Sequence, residues 1–572
     1  MTHDMHPDGR FETTARYCDS TPYDLSNATV TACVDGFRIE KLSLSGFYDV
    51  VLPCGYYGVP GETAPDDPYA QKTVVTYGRV QQTSLDCGGV SYCATWFMDS
   101  RLPVLFLRLT AQSDQAFVLT YPFGIKSPQE RLQTLCTGRL DFREREGDYA
   151  HYAAVQAASA QNKGFYAEIT LAFNLGAPLT QATLKPLADD AEQDAEDYSR
   201  MLIAAAKPGE DAAFKSYSLN AAFSAYKAFG SFAGLFAGVA YSAPARTYYR
   251  DGYYTALALL PYRPDWVENE LLTLARGIGA DGSCGSAVDA DGNPWWPGHA
   301  DSPLFFALLL YAYVSQTGDK AILNNTDIGD KLKRILERIL SELDENGLLL
   351  RAPAHRHDWA DNVFREGYVT YIECIAYGAL RLGGSLLPDG ARYKAAAERV
   401  KNAINALLWD ETLGRYVNFA CADETETNLS LDTVFAVLFG IAPENRAKRL
   451  LSGMERLLET QNNGTFGEFG VLCVYPPYRN ATRLVEKSTE PLRYHNGAEW
   501  PYLSALYAFA KKLYGMDYRY PLTRWYTYGL SLGFRSPVEY FSPPYPAGGM
   551  LQAWSAFGAF VLDHDSAGGI FR

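Results

Sequence analysis

Residues 302–315 read SPLFFALLLYAYVS, and residues 367–380 read GYVTYIECIAYGAL. Each is apolar on more than one helical face, the pattern of a helix packed between neighbours rather than laid on a surface. The apolar run Leu304–Val314 is too short for the roughly 20 residues of a membrane span, so these are core helices. Working outward, helical periodicity begins near residue 208 and recurs at 211–229, 251–260, 265–278, 302–316, 329–344, 366–382, 389–408, 429–439, 444–459, 498–514, 517–532 and 549–563, separated by Gly-, Pro- and Asn-rich loops. About twelve helices with almost no strand between them fit an α/α toroid, six inner helices ringed by six outer ones. A fixed-period repeat array is disfavoured, because GDKAILNNTD (318–327) has no close copy elsewhere.

The first 180 or so residues have a different texture. GFYDVVLP (46–53), QKTVVTYGRVQQTSL (71–85), LPVLFLRLTA (102–111), QAFVLTYPFGI (115–125) and FYAEITLAFNL (165–175) are β-branched and aromatic runs bounded by turn residues. They predict a β-sandwich over 1–186. The acidic, Ala-rich segment LADDAEQDAEDYSRMLIAAA (187–206) predicts a linker helix over 187–207, leaving 208–572 as the helical barrel. Segment 52–67 is long for a hairpin connection, which suggests that the β domain packs on the barrel and lends loops to its mouth.

Composition narrows the function. With 47% hydrophobic and 20% charged residues the chain is globular, and 51 Lys+Arg against 66 Asp+Glu, without a basic cluster, argues against nucleic-acid or membrane partners. A small neutral ligand fits better; the oligomeric state is not legible. The start MTHDMHPDGR has no basic region followed by an apolar run, and the ten cysteines form no C-x-x-C pair, so a cytoplasmic protein with free thiols is expected. Aromatics reach 14%, and Tyr and Trp offer the flat apolar faces with polar edges that suit sugar rings.

Polar and aromatic residues gather in loops at helix starts: 246–254, 293–303, 355–367, 493–502 and 536–556. Loops at one end of a helical ring converge on its axis and form a funnel. A glycosidase needs one protonated carboxyl to assist the leaving oxygen and one ionised carboxyl to activate water or attack carbon. Asp361, between Trp359 and Asn362, and Glu539, beside Tyr540 and Phe541, are candidates, as are Asp251, Asp301, Asp358, Glu366 and Glu499. Trp295 and Trp296 are either a stacking platform or a loop anchor. His355 and His357 lack a metal-ligand spacing, and neither a phosphate loop nor a cofactor motif is present, so no metal or cofactor is expected.

YYRDGYYTALALLP (248–261), DWADNVFREGYVTYIECIAYGAL (358–380), RYHNGAEWPYLSALYAFA (493–510) and EYFSPPYPAGGMLQAWSAFGAFVL (539–562) resemble, in order, the blocks of the amylo-alpha-1,6-glucosidase part of glycogen debranching enzymes. The second block is also similar to segments of processing alpha-glucosidases and trehalases. The resemblance covers about 245–565 and implies an (α/α)6 barrel behind an N-terminal β-sandwich, with inverting glycoside hydrolysis, most simply exo-acting on an alpha-glucoside. It implies Asp361 as general acid and Glu539 as general base. It places Arg250, Asp251, His495, Asn496 and Trp500 around the sugar; beside these, the polar and aromatic loops offer Trp295, Trp296, Asp301, His357, Trp359, Arg365, Glu366, Glu499, Gln552 and Trp554 as candidate substrate contacts. The chain departs from the family pattern at Tyr249 and Gly252, which flank Arg-Asp, and at Ala498-Glu499 before Trp-Pro. Mannoside, trehalose-like or rhamnoside substrates, a phosphorylase, and a non-catalytic sugar-binding toroid therefore remain alternatives.

Overall fold

A computed structural model of the chain describes residues 2–5, 10–16, 22–44, 48–50, 71–76, 80–115, 117–124, 133–137, 141–145, 150–156, 165–238, 241, 244–354, 357–463, 467–542 and 545–572. Segment 52–67 and His355 lie outside the described residues. The chain separates into two compact units, one of residues 1–230, 239–245 and 529–537, the other of 231–238, 246–528 and 538–572.

The first unit is built on antiparallel sheets. Eight strands pair in the order Thr2–Met5, Arg10–Ala15, Gln71–Thr76, Val80–Cys87, Val90–Phe97, Val104–Ser113, Phe165–Asn174 and Gln133–Thr137. A second sheet joins Tyr23–Ser26, Val30–Asp35, Arg38–Leu44 and Tyr48–Val50. Trp96, in the large sheet, is fully buried and donates its indole N–H to the Gly36 carbonyl in a turn of the smaller one at 2.7 Å, so an apolar ring with one polar edge ties the two layers. Helix α1 (Gln181–Ala206) covers the other side of the large sheet. Its Leu184, Ala188, Ala191 and Ala195, at helical spacing, meet Phe97, Val104, Phe106 and Ala172. Full burial of a Phe or Leu in such a layer contributes about 1.5–3 kcal/mol each. Helix α2 (Ala212–Ala225) is also part of this unit, so the compact division falls near Gly230, whereas the sequence pattern suggested a boundary at 186 and a linker ending at 207.

The second unit is the (α/α)6 barrel. Its helices are α3 (Tyr249–Leu259), α4 (Pro264–Arg276), α5 (Ser302–Thr317), α6 (Thr326–Glu342), α7 (Thr370–Gly378), α8 (Gly390–Leu407), α9 (Phe435–Leu438, extended by a 3-10 turn at Leu431–Val434), α10 (Glu444–Leu457), α11 (Thr460–Asn463), α12 (Pro501–Leu513), α13 (Arg519–Ser531, its last residues falling in the first unit), and α14 (Phe557–Asp563, after a 3-10 turn at Ala553–Ala556). Contacts run from α3 to α5, α5 to α7, α7 to α9, the α9 turn to α12, α12 to α14 and α14 back to α3, which closes the inner ring. Outer helices read differently. In α6 only Ile328, Leu332, Ile335, Leu336 and Ile339 are buried, a single stripe, whereas α5 is buried on nearly every face. Helix α5 starts with Pro303 in its first turn and stops at Gly318, whose φ of 74° permits the left-handed cap.

Three helical expectations are corrected. Residues 226–229 are extended rather than part of the helix expected at 211–229; the helix expected from 366 starts at Thr370, after the strand Arg365–Val369; and the helix expected from 549 is preceded by a hairpin, Val538–Ser542 with Tyr545–Met550. The helical half therefore has more strand than its periodicity implied, in pieces of two to six residues that are too short to show a period of two.

Two departures from the family pattern have a packing cause. Fully buried Tyr249 donates its hydroxyl to the Leu274 carbonyl at 2.7 Å, and Gly277 leaves room for it, since a Cβ there would lie 2.8 Å from that oxygen. Gly252 faces buried Glu270, whose Oε1 would sit 2.3 Å from an added Cβ. Glu270 cannot withdraw, because Thr247 Oγ1 and the Leu235 N–H hold its two oxygens at 2.5 and 2.8 Å. We expect Gly252→Ala to destabilise the protein by about 1–3 kcal/mol through overpacking. Gly453→Ala, in α10 with nothing within 4 Å of the new Cβ, should instead stabilise by up to about 1 kcal/mol. Thermal unfolding of both variants checks this, and a neutral or stabilising Gly252→Ala contradicts it.

Candidate active site

Residues at the N-terminal ends of the inner helices meet. Arg250 and Asp251 lie in the first turn of α3, Asp301 caps α5, loop 357–365 leads through a strand to α7, Asp432 opens the α9 turn, Trp500 caps α12, and Gln552 precedes α14. Side-chain bonds link them. Arg250 donates to Asp301 Oδ2 at 2.8 Å, as does the Tyr371 hydroxyl at 2.8 Å; Gln552 donates to Asp251 Oδ1 at 3.0 Å; the Trp359 indole donates to Asp432 Oδ2 at 2.6 Å.

The carboxyls fall into two groups. Asp358 is fully buried against Arg365, with contacts of 2.8 and 3.1 Å; although burial alone would raise it, Arg365 and His357 hold it well below the usual carboxylate range. Asp301 is likewise held down against burial, by Arg250 and His299. Glu366 pairs with Arg483 at 2.6 Å, which lowers it, and it lies in a strand rather than at a helix N-terminus. These three are ionised. Asp251 and Asp361 behave oppositely: burial, opposed by Arg250 and reinforced by the charge of Glu539 and, for Asp361, first by that of Asp358, pushes each up to about 7. Asp251 is engaged by Gln552, whereas Asp361 Oδ1 has no protein partner and the residue keeps partial exposure. Asp361 is thus the carboxyl that can hold a proton near neutral pH and present it to a ligand.

Glu539 stands in the hairpin strand Val538–Ser542 and is 7% exposed. Oε2 accepts the Gly549 N–H at 2.9 Å, and the Tyr494 hydroxyl lies 3.5 Å from Oε1. A Cβ at Gly548 would fall 2.2 Å from Oε2 and that residue's φ is 81°, so glycine is required there on both counts. Around the pair is an aromatic wall. His495 stacks on Trp500 at 4.8 Å, Trp500 stacks on Tyr540 at 5.2 Å, and Trp554 packs on Tyr502 at 4.4 Å. Burial and Arg250 keep His495 well below the usual imidazole range; because its Nδ1 accepts the Asn362 N–H at 3.3 Å, its single proton belongs on Nε2.

Several candidate contacts sit behind this surface. Arg365 is 0% exposed and is spent on Asp358, Asp432 and Asn418; Asn496 is 0% exposed, with its amide bonded to the Ser488 carbonyl and its oxygen to the Tyr478 N–H; Glu499 is 0% exposed and bonded to Ser504. These three brace the wall from inside in this structure, whereas Glu366, partly exposed, pairs with Arg483. Gln552 and Asp301 support Asp251 and Arg250. His357 is 8% exposed beside Asp358. The tryptophan pair divides: Trp295 carries the Arg246 guanidinium over its ring at 4.7 Å, and Trp296 is exposed. Asp432, Tyr494 and Tyr502 were missed, because a lone acid in a four-residue turn and tyrosines among 40 carry no distinguishing signal.

Arg250 Nε, Asp361 Oδ1, Gln552 Oε1, Trp554 Nε1 and the Tyr502 hydroxyl are buried without a protein partner. Buried polar atoms are normally satisfied, so a concentration of donors and acceptors suits a polyhydroxyl ligand. Among the described residues no group of three or more His, Cys, Asp or Glu side chains is arranged to hold a metal ion, and no helix is long and apolar enough to cross a membrane.

The amylo-alpha-1,6-glucosidase family model matches residues 256–557. No curated protein matches by sequence. Among solved structures, a bacterial glucoamylase complexed with acarbose is similar with a TM-score of 0.63 and 12% identity, over 98% of this chain and 97% of that one. A GH63 mannosylglycerate hydrolase from Thermus thermophilus, in complex with glucose, aligns over 59% of this chain and 96% of its own at 16% identity and a TM-score of 0.47. A GH78 rhamnosidase of a Bacillus species aligns over 80% and 46%, also at 16% and 0.47. Likeness at these identities concerns the fold alone.

The site's electrostatics give a pH prediction. If activity needs Asp361 protonated, kcat/KM should fall as pH rises through about 7, with a slope approaching tenfold per pH unit above it. Glu366→Gln should leave that limb in place. A pH–rate profile flat from about 6 to 9 would contradict the assignment.

Proposed function

Because the chain belongs to the amylo-alpha-1,6-glucosidase family and is a glycoside hydrolase, we propose that it is an inverting, exo-acting alpha-glucosidase on a small oligosaccharide or glycoside, with Asp361 as general acid and Glu539 as general base. One observation carries this reading: Asp361 is raised to about 7 with its Oδ1 buried and unpaired, it feels the charge of Glu539, and the nearby alternatives Asp358 and Glu366 are ionised. Asp361 gives its proton to the glycosidic oxygen as that bond breaks. Glu539 takes a proton from the water that attacks the anomeric carbon from the opposite face, which leaves a hemiacetal of inverted configuration. The acid's proton leaves with the aglycone; Glu539 then returns its proton to solvent and Asp361 takes one from it, which restores both groups with no net proton change. Arg250 and Asp251 hold sugar hydroxyls, and Trp500, Trp554 and His495 supply flat faces against the ring. The backbone-anchored Glu539 favours hydrolysis over phosphorolysis, in which phosphate replaces activated water.

A screen of alpha-glucosides against mannosides, trehalose and rhamnosides, with product anomers followed by NMR, tests sugar and stereochemistry together. A first product with the substrate's own configuration would remove the inverting mechanism. Substitutions separate the roles. Asp361→Asn should lose about 100- to 10000-fold on a disaccharide but much less on the matching glycosyl fluoride, whose leaving group needs little proton assistance. Glu539→Gln should lose on both, and normal turnover by that variant would eliminate it as the base.

A further inference from the structure

We propose that Asp432 is a positioning residue for the acid: it fixes loop 357–365, and with it Asp361, against the inner ring. The inference rests on the reading of Asp361 as acid. A single oxygen, Asp432 Oδ2, accepts the Trp359 indole N–H at 2.6 Å and Arg365 Nη1 at 2.8 Å. Trp359 lies two residues before Asp361 and Arg365 four after it. Arg365 also grips Asp358 at 2.8 Å, and Asp358 Oδ1 accepts the Ala360 N–H at 2.8 Å, so the turn around Asp361 is tied on both flanks to the same atom. The opposite side of the loop is held by backbone bonds, Phe364 N–H to the Arg483 carbonyl at 2.7 Å and Val485 N–H to the Asn362 carbonyl at 3.1 Å, and by side chains that bond only its backbone, Arg483 Nη1 to the Phe364 carbonyl at 3.0 Å and His495 Nδ1 from the Asn362 N–H at 3.3 Å.

Asp432 is a firm anchor. It is fully buried, the Leu431 N–H bonds the Cys473 carbonyl at 2.8 Å, and strand Leu429–Ser430 pairs with Val474–Tyr475. It is also a poor device for stability alone. Its Oδ1 has no partner, and Arg365 is shared between two buried acids, an arrangement that apolar packing often outperforms. What the arrangement supplies is direction: two planar donors converge on one point and fix the loop's orientation. Proton donation is sensitive to that orientation, since a misplacement of about 1 Å can cost about 100-fold in rate.

Asp432→Asn preserves size while removing the charge, and Trp359→Phe preserves the ring while removing the N–H. For each we expect kcat on the disaccharide to fall about 10- to 100-fold with KM within about threefold, and activity on the glycosyl fluoride of the same sugar to stay within about threefold of wild type. The double variant should be little worse than the poorer single one, because both delete one link. Equal losses on the two substrates, a change in KM alone, or no loss would overturn the proposal. Thermal unfolding monitors integrity, and if Asp432→Asn does not fold, Trp359→Phe carries the same comparison. Asp361→Asn run alongside keeps the two readings apart: without a fluoride preference in that variant, the acid role itself leaves Asp361, whatever Asp432 does.

Discussion

The constraint on which this barrel depends is the burial of carboxyl groups where the inner-helix N-termini converge, with two guanidiniums, Arg250 and Arg365, placed among them. A helix N-terminus favours negative charge, but the fields of several ends and two cations cannot ionise every acid in so largely buried a site. The arrangement divides the acids instead. Those in direct ion-pair contact with an arginine, Asp301 and Asp358, are held low, and those that meet Arg250 only through space, together with the charge of Glu539, rise to about 7. One fold thus keeps structural anions and a protonatable carboxyl within a few residues of each other, Asp358 and Asp361 being the clearest pair.

The same burial explains why the chain departs from its family's usual residues beside Arg250 and Asp251. Tyr249 fills space that Gly277 leaves open, and Gly252 yields space to Glu270, which burial raises to about 8. Both exchanges occur where α3 meets α4, behind the site rather than in it. They alter how the Arg-Asp turn is supported while Arg250 and Asp251 keep their partners, Asp301 and Gln552.

The architecture was legible because inner helices must be apolar all round, and SPLFFALLLYAYVS, too short to span a membrane, is stable only when packed between neighbours. Helix ends were less so. Tertiary pairing turned residues 365–369, 538–542 and 545–550 into strands that a helical period cannot reveal. In the site, the residues the sequence singles out, Asp361, Glu539, Arg250 and Trp500, are those with a motif around them. Motif membership does not tell which polar side chains are open and which are sealed inside the wall, as Arg365, Asn496 and Glu499 are. Whether an arginine is spent on two aspartates is decided by residue 432, 67 positions away from Arg365. No local pattern encodes that distance.

Asp361 and Glu539 are held by different kinds of force, and this has consequences for how each tolerates change. Asp361 takes its state from surrounding charges and desolvation, and its place from a loop anchored by side chains, so substitutions at several positions can reach it. Glu539 takes its orientation from the Gly549 N–H and from a Gly548 that admits no side chain, with the Glu499–Phe541 backbone bridge fixing the strand beside Trp500. Backbone donors cannot be removed by a single side-chain replacement. The needs of the two forms differ: fixed dipoles favour a carboxylate's charged form, and burial with neighbouring anions favours a carboxyl's protonated form. The sequence separates these needs physically, placing one acid in a charged loop before α7 and the other in a glycine-rich hairpin before α14.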